Sequence, residues 1–165
     1  PKNMNKRTMF MIGVVSAALL TSAGAVNATP TKNTIYVDGT KVNGAAYMIN
    51  NNNYFKLRDV AAMVNGSSKQ FEVSWNETNK RIDLTTNKAY TVVGGEMALP
   101  SNAAKTAKES KASVFKDGNK ADYTGYNISD NNYYKLRDLA KLLDMGVTWE
   151  EGSATIGINT AKSYQ

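Results

Sequence analysis

The 165-residue chain contains no cysteine and no histidine. Without cysteine there are no disulfides to staple a small exported fold, and no thiol for a lipid anchor. Without histidine, Ser-His-Asp and Cys-His catalysis and histidine-ligated zinc or copper are excluded. An enzyme made from this sequence is left with carboxylate, lysine or tyrosine chemistry. No glycine-rich loop precedes a helix to cradle phosphate, and no calcium-binding loop with a terminal Glu is present. A concentrated basic face is also missing. Of the 20 Lys and Arg, three (Lys2, Lys6, Arg7) fall in residues 1–28, which hold none of the 14 Asp and Glu. The rest of the chain therefore carries +3, scattered along its length, which argues against nucleic acid as a partner.

What the chain does have begins with an N-terminal run that reads as an export signal. Lys2, Lys6 and Arg7 precede an apolar stretch from Met9 to Leu20. Val26-Asn27-Ala28 then offers small residues for cleavage before Thr29. Residues 1–28 are thus expected to be a signal peptide, and the protein to be secreted or held at the cell surface. If the segment stays uncleaved it is the one route to the membrane, at the short limit for a bilayer span.

The remainder says one thing twice. Residues 53–61 (Asn-Tyr-Phe-Lys-Leu-Arg-Asp-Val-Ala) return at 132–140 (Asn-Tyr-Tyr-Lys-Leu-Arg-Asp-Leu-Ala), 79 positions later. Upstream, Asp38-Gly39 matches Asp117-Gly118. Downstream the shift falls to 74, matching Trp75 with Trp149, Ile82 with Ile156, Thr86 with Thr160 and Tyr90 with Tyr164. A repeat of this clarity sets the organisation before any motif is consulted. The first copy spans 34–91 and the second 113–165, and residues 92–112, rich in Ala, Lys and Ser, read as a linker.

Within each copy the pattern predicts strands flanking one helix. Asp-Gly is a strong two-residue hairpin signal. Leu57, Val60, Ala61 and Val64 lie at i, i+3, i+4 and i+7, as do Leu136, Leu139, Ala140 and Leu143, giving one apolar helical stripe per copy. Phe71, Val73 and Trp75 alternate with polar residues as a half-buried strand does, and Trp75 and Trp149 are expected in the core. The fold class expected is α+β: two tandem ββαββ-type repeats, each a small antiparallel sheet packed on one short helix. A unit of about 55 residues buries too little surface to be secure alone, so the copies are expected to pack together or into something larger.

These residues carry a resemblance. Val37-Asp38-Gly39, residues 54–61, Val73-Ser74-Trp75 and Ile82-Asp83-Leu84, with their counterparts in the second copy, resemble the copper amine oxidase N-terminal-like (stalk) domain family of exported bacterial proteins. The resemblance implies a secreted or surface-attached module without assigned activity. It does not imply copper chemistry, which in the true oxidases needs a separate catalytic domain with three histidine ligands.

Two residue groups stand out as candidates. Arg58, Asp59, Arg137 and Asp138 are polar pairs at helix starts, where Asp complements the helix dipole and Arg ties the helix to neighbouring backbone. Tyr54, Phe55, Tyr133 and Tyr134 are adjacent aromatics. One of each pair should face away from the core, where it could contact a sugar ring. The acids Glu72, Glu77, Glu150 and Glu151 lie near strand ends and turns, with nothing to bring two of them across a cleft. No catalytic residue, metal or cofactor is expected. The expected function is a non-catalytic module of the cell envelope that mediates attachment, with cell-wall glycan or another envelope protein as partner. The alternative is an accessory or small carboxylate-based enzyme acting on wall polymer.

Overall fold

The computed structural model describes residues 25–165. Residues 1–24 of the expected export signal lie outside the described residues. The chain runs β1 (Ala25–Pro30), β2 (Thr34–Val37), β3 (Thr40–Val42), β4 (Ala46–Ile49), β5 (Asn52–Lys56), α1 (Leu57–Met63), β6 (Phe71–Asn76) and β7 (Arg81–Thr86). It then repeats this order as β8 (Lys105–Glu109), β9 (Ser113–Lys116), β10 (Asn119–Ala121), β11 (Tyr126–Ile128), β12 (Asn131–Lys135), α2 (Leu136–Leu143), β13 (Gly146–Glu150) and β14 (Thr155–Asn159).

Turn chemistry makes the hairpins. Asp38 and Gly39 both take positive φ (50° and 83°), as do Asp117 and Gly118 (50° and 86°). Two such residues in succession suit the turn whose twist matches that of the strands it joins. Asn50 and Asn51, and Ser129 and Asp130, do the same between β4 and β5 and between β11 and β12. The helical stripes are buried: Leu57, Val60, Ala61 and Val64 on the first copy, and Leu136, Leu139, Ala140 and Leu143 on the second.

The assembly of these elements corrects the expected fold class. The molecule is mostly β, with a closed six-stranded barrel and two short helices, and is not a pair of tandem ββαββ units. Each of its three sheets draws strands from both copies. The barrel runs β1-β4-β5-β12-β11-β8, closing where β1 pairs with β8. One four-stranded sheet, β10-β9-β7-β6, sets the first hairpin of the second copy beside the last hairpin of the first copy. The other, β13-β14-β2-β3, does the reverse. The joins are parallel and match residue for residue: Ile82 faces Val114, and Ile156 faces Ile35. The physical reason is that the pattern of a strand specifies its buried face but not the neighbour at its edge. A lone copy could not bury both faces of its strands, and exchanging hairpins joins the two into one core.

The hairpin turns seal the exchange. The Asp38 carboxylate accepts hydrogen bonds from the Thr160 main-chain N–H (2.8 Å) and hydroxyl (2.6 Å). Asp117 accepts the same pair from Thr86, at 3.0 and 2.7 Å. The symmetry reaches further than the sequence match. β8, inside the stretch expected to be a linker, is the counterpart of β1: Ala28 and Ala107 are both fully buried, and Thr31 and Ser110 make matching 2.8 Å hydrogen bonds to Asn53 and Asn132. Residues 25–28, expected to leave with the signal, pair with β8 along the seam of the barrel.

Two cores result. The barrel interior is filled by Tyr47, Ile49, Tyr54, Ile128 and Tyr133, with Tyr47 against Tyr133 and Tyr54 against Tyr126 edge-to-face at 5.4 and 5.3 Å. The larger core lies outside the barrel wall, beneath the helices and the two four-stranded sheets.

Candidate functional site

Strands β5 and β12 belong to both cores, which decides the fate of the adjacent aromatics. Successive side chains on a strand point to opposite faces. Tyr54 and Tyr133 point into the barrel, while Phe55 and Tyr134 point into the outer core. All four are buried, so none presents a ring to solvent. The expectation that one of each pair faces outward assumed a sheet covered on one side, and this sheet is covered on both.

The most exposed aromatics are instead the two tryptophans, at 48% for Trp75 and 45% for Trp149, with Tyr36 next at 36%. Trp75 shares its face of β6 with the buried Phe71 and Val73, but it is the last apolar residue of that face and stays half-exposed beside Lys56, Leu57 and Arg58 at the start of α1. Each tryptophan lines a groove, and the two grooves are related by the internal symmetry. In the first, Trp75, Ser74, Lys56 and Arg58 of one copy face Asp130, Asn131 and Asn132 of the other. In the second, Trp149, Thr148, Lys135, Arg137 and Asp138 face Asn51, Asn52 and Asn53. Every groove therefore exists only because the copies interleave. An indole face beside amides and a guanidinium offers a stacking platform together with hydrogen-bond donors and acceptors.

The helix-start pairs are not alike. Asp59 is completely buried, and its carboxylate accepts from the main-chain N–H of Ala45 (2.8 Å) and of Met97 (2.9 Å). Burial pushes its pKa up, against the pull of those two bonds and of Lys56. Arg58 donates to the Tyr90 hydroxyl at 3.2 Å and sits 5.8 Å from that ring's centre. Tyr90 in turn donates to Glu96. Burial and the bond to Glu96 raise the Tyr90 pKa to about 12. Partial desolvation works against ionising Glu96, yet the bonds from Tyr90 and from the main chain at Val93 and Gly94 hold its pKa at about 2. Lys56 donates to the Gly95 carbonyl at 3.3 Å. The segment from Tyr90 to Met97 thus lies over the start of α1. At the start of α2, Arg137 is exposed and Asp138 half-buried, and neither side chain has a hydrogen-bond or ion-pair partner among the described residues.

The remaining acids are held locally. Glu72 accepts from the N–H groups of Val73 and Thr91, Glu77 from Trp75 and Lys80, and Glu150 from Ser153. Among the described residues no group of three or more Asp and Glu is placed to hold a metal ion. Sequence reasoning missed the tryptophans as exposed groups. The signal available was position: each tryptophan is the last apolar residue in the alternation of its strand.

No family model matches the chain, and no curated protein or solved structure matches it.

Proposed function

We propose that this protein is a non-catalytic binding module of the bacterial cell envelope that grips wall glycan in its two tryptophan grooves. The observation that carries the reading is the pairing of half-exposed Trp75 and Trp149 in symmetry-related grooves, each faced by amide side chains. Pyranose rings offer an apolar face for an indole and hydroxyls for amides and guanidinium groups. Two equivalent sites on one body suit a polymer that repeats, because engaging the second site is intramolecular once the first is filled. The charged and apolar residues from Lys2 to Leu20 that read as an export signal, ahead of the barrel strand that starts at Ala25, and the resemblance to exported stalk domains support the same placement, and the resemblance rests on its residues alone.

The test is co-sedimentation of the full chain with isolated bacterial cell walls over a salt series, repeated with Trp75→Ala, Trp149→Ala and both together. Binding is expected to resist salt. It should weaken about tenfold with each single change, the size expected for losing one aromatic platform, and disappear in the double variant. Because both rings are half-exposed, the melting temperature should move little. No pelleting by the wild type, or equal pelleting by the double variant, would sink the reading.

A further inference from the structure

The expected export signal runs into strand β1 of the barrel. Two stretches there offer the small residues that a signal peptidase reads: Ala23-Gly24-Ala25 and, directly after it, Val26-Asn27-Ala28. Both fit the pattern, and the barrel separates them. Val26, Asn27 and Ala28 pair with Ala107, Thr106 and Lys105 along the seam. At the repeat's shift of 79 their counterparts are Lys105, Thr106 and Ala107, so the seam is symmetric about Asn27, which lies opposite its own counterpart. β8 runs from Lys105 to Glu109, and the same shift takes it back to Val26 and Pro30. The repeated unit therefore begins at Val26 in the first copy as it does at Lys105 in the second. Ala25 pairs with Lys108, but its own counterpart, Ala104, lies ahead of β8. A cut before Thr29 would remove this whole ladder. β1 would keep Thr29 and Pro30 beside β4, and proline has no N–H to donate. Ala28 is fully buried in the barrel interior and Val26 packs against it, so their loss would open the barrel between β4 and β8 and let water reach its tyrosines.

We infer that a signal peptidase cuts between Ala25 and Val26, reading Ala23-Gly24-Ala25, and that the mature chain starts on the first residue of the repeated unit. This rests on the exported placement proposed above, and it replaces the cut expected before Thr29. Water adds across the Ala25–Val26 peptide bond. Ala25 leaves with the new carboxylate, and Val26 keeps the new amino group. Both neighbours of β1 lie downstream of it, β4 about 20 residues on and β8 about 80, so its backbone is still unpaired when a leader emerges N-terminus first. The enzyme thus meets an extended chain at either stretch. What distinguishes the upstream cut is its product, which keeps every residue of the symmetric seam.

The test expresses the full chain in a secreting bacterium and measures the intact mass and first residue of the protein recovered outside the cell. A product starting at Val26 is expected. Two variants separate the candidate cuts. Ala23→Asp sets a charge at the third position before the inferred cut and upstream of β1, and should leave the precursor uncut. Val26→Lys sets a charge at the same distance before Thr29, where it would block a cut there. It installs the residue that β8 carries at the matching place, so the barrel accommodates it. Its product should still start at residue 26. A wild-type product starting at Thr29, or a precursor that is never cut, would overturn the inference. Processing lost with Val26→Lys but kept with Ala23→Asp would overturn it too. The wall-pelleting assay reports separately: a product that starts at Val26 and fails to pellet would uphold this cut and sink the glycan reading.

Discussion

The first and second copies share strands, turns and a helix in the same order, and they interleave so that each completes the other's sheets. Against that sameness, two differences show what each copy has had to accommodate. One is the segment over the start of α1, which has no counterpart over α2 among the described residues. The other is inside the core. Ala46 stands opposite Phe55 across β4 and β5. At the matching places in the second copy stand Gly125 and Tyr134. A Cβ added at Gly125 would lie 2.4, 2.7 and 2.8 Å from Tyr134 Cε1, Cζ and Cδ1. The pair has exchanged volume: a methyl group is surrendered at one position where the ring opposite is larger. The exchange leaves the Tyr134 hydroxyl buried without a well-formed hydrogen bond, although the Ser110 side chain lies near enough to favour its ionised form.

That contrast can be broken most sharply at Gly125. Gly125→Ala should cost about 3 kcal/mol, because the methyl meets a ring that has no room to retreat. Ala46→Gly should cost only about 1 kcal/mol, from a lost methyl and a looser backbone. Gly125→Ala combined with Tyr134→Phe installs the first copy's pair in the second, and should recover most of the loss by relieving the crowding and the unpaired hydroxyl. Urea unfolding of the four proteins measures this. A double variant no more stable than Gly125→Ala alone would show that the two pairs are not interchangeable.

A smaller effect tests where the copies are alike. Asp38→Ala and Asp117→Ala each remove two hydrogen bonds that fasten a hairpin to the other copy, and each should cost about 1–2 kcal/mol. Equal losses are expected, since the two sets of bonds match in partner and length. A loss confined to one position would mean that one exchanged hairpin is fastened by other contacts.

The smallest effect concerns the segment over α1. The folded-state pKa of Glu96, about 2, lies below the usual carboxylate value. A depressed acid contributes stability that is complete above its unfolded pKa of about 4.3 and fades as pH falls through the folded value. The melting temperature of the wild type should therefore exceed that of Glu96→Gln by a degree or so at neutral pH, about what an exposed charge contributes. The gap should begin to narrow below about pH 4.3 and be gone near pH 2. A gap that holds constant with pH would show that Glu96 acts through shape and not charge.

Much of this molecule was legible locally. The Asp-Gly turns, the two helical stripes and the repeat itself are written in residues close together in the chain. What could not be read was partnership. Nothing in Ile82 or Ile35 announces that each will lie beside a strand of the other copy, because edge pairing is made by main-chain groups that every residue carries. The double burial of Tyr54 and Phe55 follows from that hidden step, since only the barrel gives the strand a second covered face. The grooves were illegible for the same reason: each is assembled from a helix start and a turn that lie in different copies. Arg58, Asp59, Arg137 and Asp138 were visible as polar pairs, but their divergence depended on where residues 90–97 travel.

The crossed hairpins also set a timetable. The bond between Asp38 and Thr160 spans 122 positions, and β2 has its parallel neighbour only when β14 is present. A chain delivered from its N-terminus must hold its first hairpin idle, one edge open, until β14 has arrived. Contacts of such long range are slow to form and leave the early chain exposed to wrong pairings. Neither copy can finish ahead of the other, so the molecule is complete all at once or not at all.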